Sequence, residues 1–173
     1  MAPKAPIIGV MGGGTATPDA ARSAQALGER IAEQGWILLN GGRNAGIMEA
    51  SAKGARSRGG LTVGVLPDET SVQTSDYIDI PILTGMGSAR NVVNVLSSRV
   101  VVACPGGAGT ASEVALAVKY RKPVILFGFD AGNLFEEAER QGMLFRETEV
   151  EAVVVRIREL LGLDEFLQRE KSW

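Results

Sequence analysis

Thr110 and Glu113, three residues apart at the end of Cys104-Pro105-Gly106-Gly107-Ala108-Gly109, are the pair in this chain whose types and spacing best suit chemistry. An all-apolar, β-branched run, Val100 to Val102, precedes them, and the apolar, Ala-rich segment Val114 to Val118 follows. That order reads as a strand, a glycine turn and a helix start. Gly106, Gly107 and Gly109 leave the backbone free of Cβ atoms where a helix presents unpaired N–H groups, so a phosphate could sit directly on the main chain from Gly106 through Ala108 to Thr110. A carboxylate at Glu113 would repel that phosphate unless it has a task toward the ligand. Two plainer readings stand beside this one. Thr-x-x-Glu is also a capping box, in which two side chains satisfy backbone N–H groups reciprocally. Clustered glycines also serve tight packing of a helix on a sheet.

Arg90 is the cation that could act with this turn. It stands in Gly87-Ser88-Ala89-Arg90-Asn91, after a glycine turn and at a helix opening, from which a guanidinium could reach a phosphate or the Glu113 carboxylate. A solvated surface arginine fits the same periodicity. Arg43 and Asn44, in the turn Gly41-Gly42-Arg43-Asn44-Ala45-Gly46, are further candidates, as are Gly12 and Gly13 in the first glycine turn. Asn91 and Asn94 could orient polar groups or simply occupy a helix face.

The elements that must position these residues follow a repeated pattern. Pro6 to Met11 reads as a buried strand ending in Gly12-Gly13-Gly14, and Thr17-Pro18-Asp19 supplies an N-cap, a first-turn proline and an acid for a helix bearing Ala21, Ala24, Leu27 and Ile31. Trp36 to Leu39 is the second strand, and Ile47, Met48, Ala50 and Ala55 mark the helix after its turn. Leu61 to Leu66 is the third strand, followed by a polar stretch from Pro67 to Tyr77 and a short extended piece, Ile78 to Leu83. Ser88 is placed to cap a helix whose Val92, Val93 and Leu96 would face the core. Val100 to Cys104 and Pro123 to Phe127 complete the main strands. Weaker pieces follow, then a final helix from about Glu149 to Leu161 and a tail to Trp173.

Near-continuous apolar strands alternating with helices predict an α/β fold over residues 1–173, one doubly wound, Rossmann-like parallel sheet with helices on both faces. All strands of such a sheet end on one edge, so the turns at Gly12, Gly41 and Pro105 should gather at one rim, where ligands of these folds bind.

Composition narrows the chemistry. The chain has 173 residues, 45% of them hydrophobic, enough for one ordinary domain with a full core. A net charge of −2, with 18 basic and 20 acidic residues spread along the chain, offers no block for nucleic acid or an anionic membrane. No apolar stretch has the length of a signal segment or spanning helix, so a cytoplasmic protein is expected. The histidine count of zero removes Ser-His-Asp, Cys-His and histidine-zinc machinery, and a single cysteine, Cys104, excludes an internal disulfide or a multi-cysteine zinc site. Neither zinc nor another metal site is expected. G-x-G-x-x-G is intact at none of the turns and Asn40, not an acid, ends the second strand, which argues against NAD and FAD. No P-loop motif occurs. The lysines, Lys4, Lys53, Lys119, Lys122 and Lys171, all avoid the glycine turns, which argues against pyridoxal phosphate.

Pro105-Gly106-Gly107-Ala108-Gly109-Thr110-Ala111-Ser112-Glu113 resembles the P-G-G-x-G-T-x-x-E mark of the LONELY GUY-like proteins at every fixed position. The resemblance runs from the first strand to the fifth. It implies that Arg90 and Glu113 correspond to that family's catalytic pair. Cytokinin-activating members carry Met-His-x-Arg-Lys, whereas Gly87-Ser88-Ala89-Arg90-Asn91 lacks the Met, His and Lys. The Ala-Arg-Asn form, with Gly41 to Gly46 and Cys104-Pro105-Gly106-Gly107, looks more like the subgroup of molybdenum cofactor carrier proteins. That likeness implies a small phosphorylated ligand, molybdopterin-based, held for delivery to molybdoenzymes. The alternative is a nucleoside 5′-monophosphate phosphoribohydrolase that cleaves an N-glycosidic bond, with Arg90 and Glu113 catalytic. A homodimer is expected, partly from the resemblance and partly because the Val92 and Val114 helices carry small and apolar residues that two subunits could share.

Overall fold

The computed structural model describes residues 5–170. Seven strands form one sheet: β1 (Ile7–Met11), β2 (Ile37–Asn40), β3 (Thr62–Leu66), β4 (Ile80–Leu83), β5 (Val100–Ala103), β6 (Val124–Phe127) and β7 (Leu144–Glu147). Their spatial order is β4-β3-β2-β1-β5-β6-β7, and every pairing is parallel. The chain winds outward to β4, returns to the middle at β5, and winds outward again. The boundary between β1 and β5 is therefore the topological switch point, where the crevice of a doubly wound sheet opens.

Burial on both faces follows from the period of two in each strand. Val100 and Val102 of β5 enter one core with Ile8 and Val10, covered by α1 (Pro18–Glu33), α2 (Gly46–Ser57) and α6 (Val150–Glu170). Val101 and Ala103 enter the other with Met11 and Leu39, covered by α3 (Asn91–Ser97), α4 (Ala108–Lys119) and α5 (Glu136–Arg140). Helices α1 and α2 approach so closely that a Cβ on Gly28 would lie 2.1 Å from the Ser51 carbonyl oxygen, and one on Gly54 2.0 Å from that of Gln25. Part of the glycine content therefore serves packing on the first half of the sheet. Thr17 caps α1 as its sequence predicts, its Oγ1 accepting from the Ala20 N–H at 3.2 Å, with Pro18 in the first turn.

Three local expectations are corrected. Ser88 does not cap a helix: Gly87–Arg90 forms a 3-10 turn without a side-chain cap, and α3 starts only at Asn91. The face of α3 turned inward carries Asn91, Asn94 and Val95, so Val95 is fully buried while Leu96 is 49% exposed. A seven-residue helix has too few apolar positions for spacing alone to fix its phase. The last helix does not stop near Leu161 but runs on to Glu170, and Trp173, the end of the expected tail, lies outside the described residues. The extended piece before Leu83 and the weak segment near Phe145 prove to be the two edge strands, β4 and β7. No helix among the described residues is long and apolar enough to cross a membrane.

Candidate functional site

The β5–α4 turn begins the site. Gly107 occupies the N-cap of α4 and no side chain caps that helix end. The first N–H groups of the helix thus lack partners within it and face outward. The capping-box reading of Thr110 and Glu113 fails, because α4 starts at Ala108 and places Thr110 inside the first turn. Both side chains point inward instead, Thr110 at 3% and Glu113 at 6% exposure. Gly106 and Gly107 differ in purpose. A Cβ on Gly106 would strike Thr110 Oγ1 at 2.1 Å and the Gly13 nitrogen at 2.8 Å, whereas one on Gly107 or Gly109 would meet nothing within 4 Å. Gly106 lets two turns pack, and Gly107 and Gly109 leave open space.

The first turn closes on this one through the Gly13 N–H, which donates to the Pro105 carbonyl at 3.0 Å. The second turn is held by Asn40, fully buried, which donates from Nδ2 to the Met48 carbonyl at 2.9 Å and to Ser51 Oγ at 3.0 Å and accepts from the Gly42 N–H at 2.8 Å. Gly41 then gives Arg90 room: a Cβ there would lie 2.4 Å from Arg90 Nη1 and 2.5 Å from Met48 Sδ. The three glycine turns thus meet at one rim, around a cleft of about 250 Å³.

Gly12, Gly13, Arg90, Gly107, Gly109, Thr110 and Glu113 line this cleft, as their sequence positions suggest. Gly42, Arg43, Asn44, Gly106 and Ala108 are not among its lining residues. Gly42 has φ +76° and lies against Leu66 and Gly64, so it serves the turn. Arg43 pairs with Asp68, Nη2 standing 2.9 Å from Oδ2, and the Asn44 N–H donates to the Gln73 carbonyl at 3.0 Å. Met11, Gly14, Gly41 and Met48 line the cleft without having been singled out as ligand contacts. The recurrence of glycine at all three turns was the available signal for Gly14 and Gly41. None existed for the two methionines, which read as core.

Arg90, at the end of the 3-10 turn before α3, and Glu113 of α4 are brought to the same cleft. Arg90 Nε and Nη1 are buried without a hydrogen-bond partner. Burial pushes the guanidinium below its ordinary range; the charge of Glu113 opposes this, Arg43 reinforces it, and Asp68 opposes it. Glu113 Oε1 accepts from Asn94 Nδ2 at 2.8 Å, so Asn94, itself fully buried, fixes the carboxyl. Burial pushes that carboxyl up to about 7, against the Asn94 hydrogen bond and the Arg90 charge. Asn91 braces the neighbouring helix, donating to Ser112 Oγ at 2.8 Å. Cys104 is buried behind the turn, and its thiol is pushed up to about 12, out of reach of thiolate chemistry at neutral pH.

The arrangement combines an uncapped helix N-terminus, a partly buried arginine whose Nε and Nη1 have no partner, and a carboxyl that changes charge near neutrality. Such a set of groups can hold an anion, with one acid–base group at hand. Residues 5–154 match the family model described as SLOG cluster4. The chain belongs to the SLOG cluster4 family. Among solved structures, this SLOG cluster4 chain is similar to the molybdenum cofactor binding protein of Rippkaea orientalis, at 47% identity and a TM-score of 0.85, covering 91% of this chain and 98% of that one. It is also similar to the molybdenum cofactor carrier protein of Chlamydomonas reinhardtii, at 44% identity and a TM-score of 0.84, covering 92% and 99%. A cytokinin riboside 5′-monophosphate phosphoribohydrolase of Mycobacterium marinum is 31% identical over 100 residues, which are 56% of this chain and 53% of the relative. The resemblance read from the P-G-G-x-G-T-x-x-E motif therefore holds, with likeness to the carrier structures both higher and more extensive than likeness to the hydrolase.

Proposed function

We propose that the protein is a molybdenum cofactor carrier that grips the cofactor's phosphate at the rim between β1 and β5. The observation that carries this reading is Arg90, whose buried Nε and Nη1 donors have no hydrogen-bond partner in the cleft that α4 opens with its uncapped N–H groups. A partly buried cation whose buried donors are unmet is unfavourable by itself and is compensated by an anionic acceptor. Gly107 and Gly109 would let the phosphate approach the main chain, and the apolar Val10, Met11 and Met48 walls would take uncharged parts of the ligand. No bond need break for this task. The similarity to two molybdenum cofactor proteins over nine-tenths of the chain supports the same reading.

The test is direct. Purified protein should bind molybdenum cofactor and slow its loss, and should then reconstitute a cofactor-free molybdoenzyme. Gly107→Val should fold cooperatively, because a Cβ there meets no neighbour, yet lose about tenfold or more in affinity, because the branched side chain occupies the phosphate's place. Equal binding by parent and variant would reduce the glycines to a packing role.

A second reading, the phosphoribohydrolase, rests on one specific observation: Glu113 keeps a carboxyl near 7 in the same cleft as Arg90, as a group handling an attacking water would require. We also infer a homodimer. Val114 is spent on the subunit's own core, but Leu96 on α3 and Tyr120 at the end of α4 stay exposed at 49% and 43% and could be shared with a second copy. Light scattering that gives the monomer mass at micromolar concentration would remove this inference.

A further inference from the structure

Arg43 stands two residues beyond Gly41, the glycine on which the Arg90 guanidinium rests. It is near enough for its charge to act on Arg90, as does that of Asp68 with the opposite sign. Yet Arg43 is turned away from service in the cleft. Its Nη2 donates to Asp68 Oδ1 at 3.0 Å, its Nη1 donates to Gln73, and its backbone bridges Thr74. Two further backbone bonds, from the Asn44 N–H to the Gln73 carbonyl and from the Ser75 N–H to the Gly42 carbonyl at 2.9 Å, tie the 67–77 segment to the same turn. Asp68 is thus delivered to Arg43 by a strap that does not depend on their ion pair.

The pair is half-exposed, with side-chain exposures of 32% and 37%, and such a pair adds little to folding stability. Its effect on the rim is larger than its effect on the fold, because it converts one of two neighbouring cations into a neutral unit. Arg90 is left as the cation that lines the cleft.

We propose that Asp68 is a specificity-determining residue: by holding Arg43, it restricts the cleft to ligands with one phosphate group and discriminates against those with two adjacent phosphates. The proposal rests on the anion-binding reading above. A diphosphate brings additional negative charge to a rim that offers one unpaired guanidinium, and Arg43 released from Asp68 would supply the second. Selection arises here from a cation withheld rather than from a cation added.

Calorimetry with inorganic phosphate and with pyrophosphate at low ionic strength tests this on the full chain, comparing the parent, Asp68→Asn, Arg43→Gln and the double variant. Asp68→Asn keeps the side-chain shape and removes the charge. It should raise the ratio of pyrophosphate to phosphate affinity by about tenfold or more, the worth of one new charge-assisted contact. The double variant should return to the parent's ratio. An unchanged ratio in Asp68→Asn while phosphate still binds, or a rise that persists without Arg43, would overturn the role of Asp68 and leave the anion site standing. Failure of the parent to bind phosphate would overturn the anion site and this proposal together. Thermal melts of all four proteins identify any variant that fails through its fold, and Asp68→Ala then replaces Asp68→Asn in the same comparison.

Discussion

Arg90→Met should weaken binding of a phosphorylated ligand by about two orders of magnitude while leaving the free protein as stable as the parent or more so. The two signs have one cause. Arg90 Nε and Nη1 are buried without partners, so those two atoms forgo hydration and donate no hydrogen bond in return. Methionine fills comparable volume without that penalty, beside Met48 and Gly41. A bound phosphate reverses the balance: each charge-assisted bond contributes about 1.5–3 kcal/mol, and two of them correspond to a hundredfold or more in affinity. Melting curves with and without phosphate separate the effects, because ligand raises the parent's melting temperature by mass action and should not raise the variant's. A variant that melts much lower but binds as before would make Arg90 a structural residue and remove the observation on which the functional reading stands.

The meeting of the glycine turns was legible before any coordinates, because it needs only one rule. Strands in a parallel sheet all end on one edge, so three strand-glycine-helix junctions must share a rim. Arg90 and Glu113 were legible too, but only as side chains beside that rim. That they face the same cleft depends on how α4 and the 3-10 turn leading into α3 are rotated, and the misplacement of Leu96 shows how weakly a short helix specifies its rotation from sequence. The Thr110–Glu113 ambiguity had the same origin. Capping box and cleft floor differ by where α4 starts, and nothing local in Pro105 to Gly109 chooses between Gly107 and Thr110 as N-cap. The pairing of Arg43 is not legible because its partner is non-local: Asp68 comes from the polar stretch that the sequence leaves without assigned structure. Met48 was invisible as a lining residue because one methionine in an apolar helix face reads as core, and it is both.

Glu113→Gln separates the carrier from the hydrolase, and pH does so a second time. Burial holds the Glu113 carboxyl at about 7 against an ordinary 4.5, so the folded protein retains a proton there that the unfolded chain releases. Its contribution to stability is therefore fully present below about pH 4.5 and is lost as the pH rises to about 7. The loss is roughly 3 kcal/mol, which the glutamine variant should not show. Ligand binding follows the same proton. An anion in the cleft disfavours the carboxylate, so sulfate, which does not titrate in this range, should bind more weakly as the pH rises above about 7, by up to tenfold per unit. Glu113→Gln should flatten that profile and keep tight binding at pH 8, because an amide neither repels the anion nor loses the packing beside Asn94. In a carrier these are the whole consequences. In a hydrolase the same substitution would remove the group that handles the attacking water, and release of free base from AMP or a cytokinin monophosphate would fall by orders of magnitude. Robust base release by the parent, abolished in Glu113→Gln while sulfate binding is retained, would make the cleft a catalytic site and displace the carrier reading; negligible release by both, with the pH profile flattened, leaves Glu113 as a proton-linked partner of the bound anion.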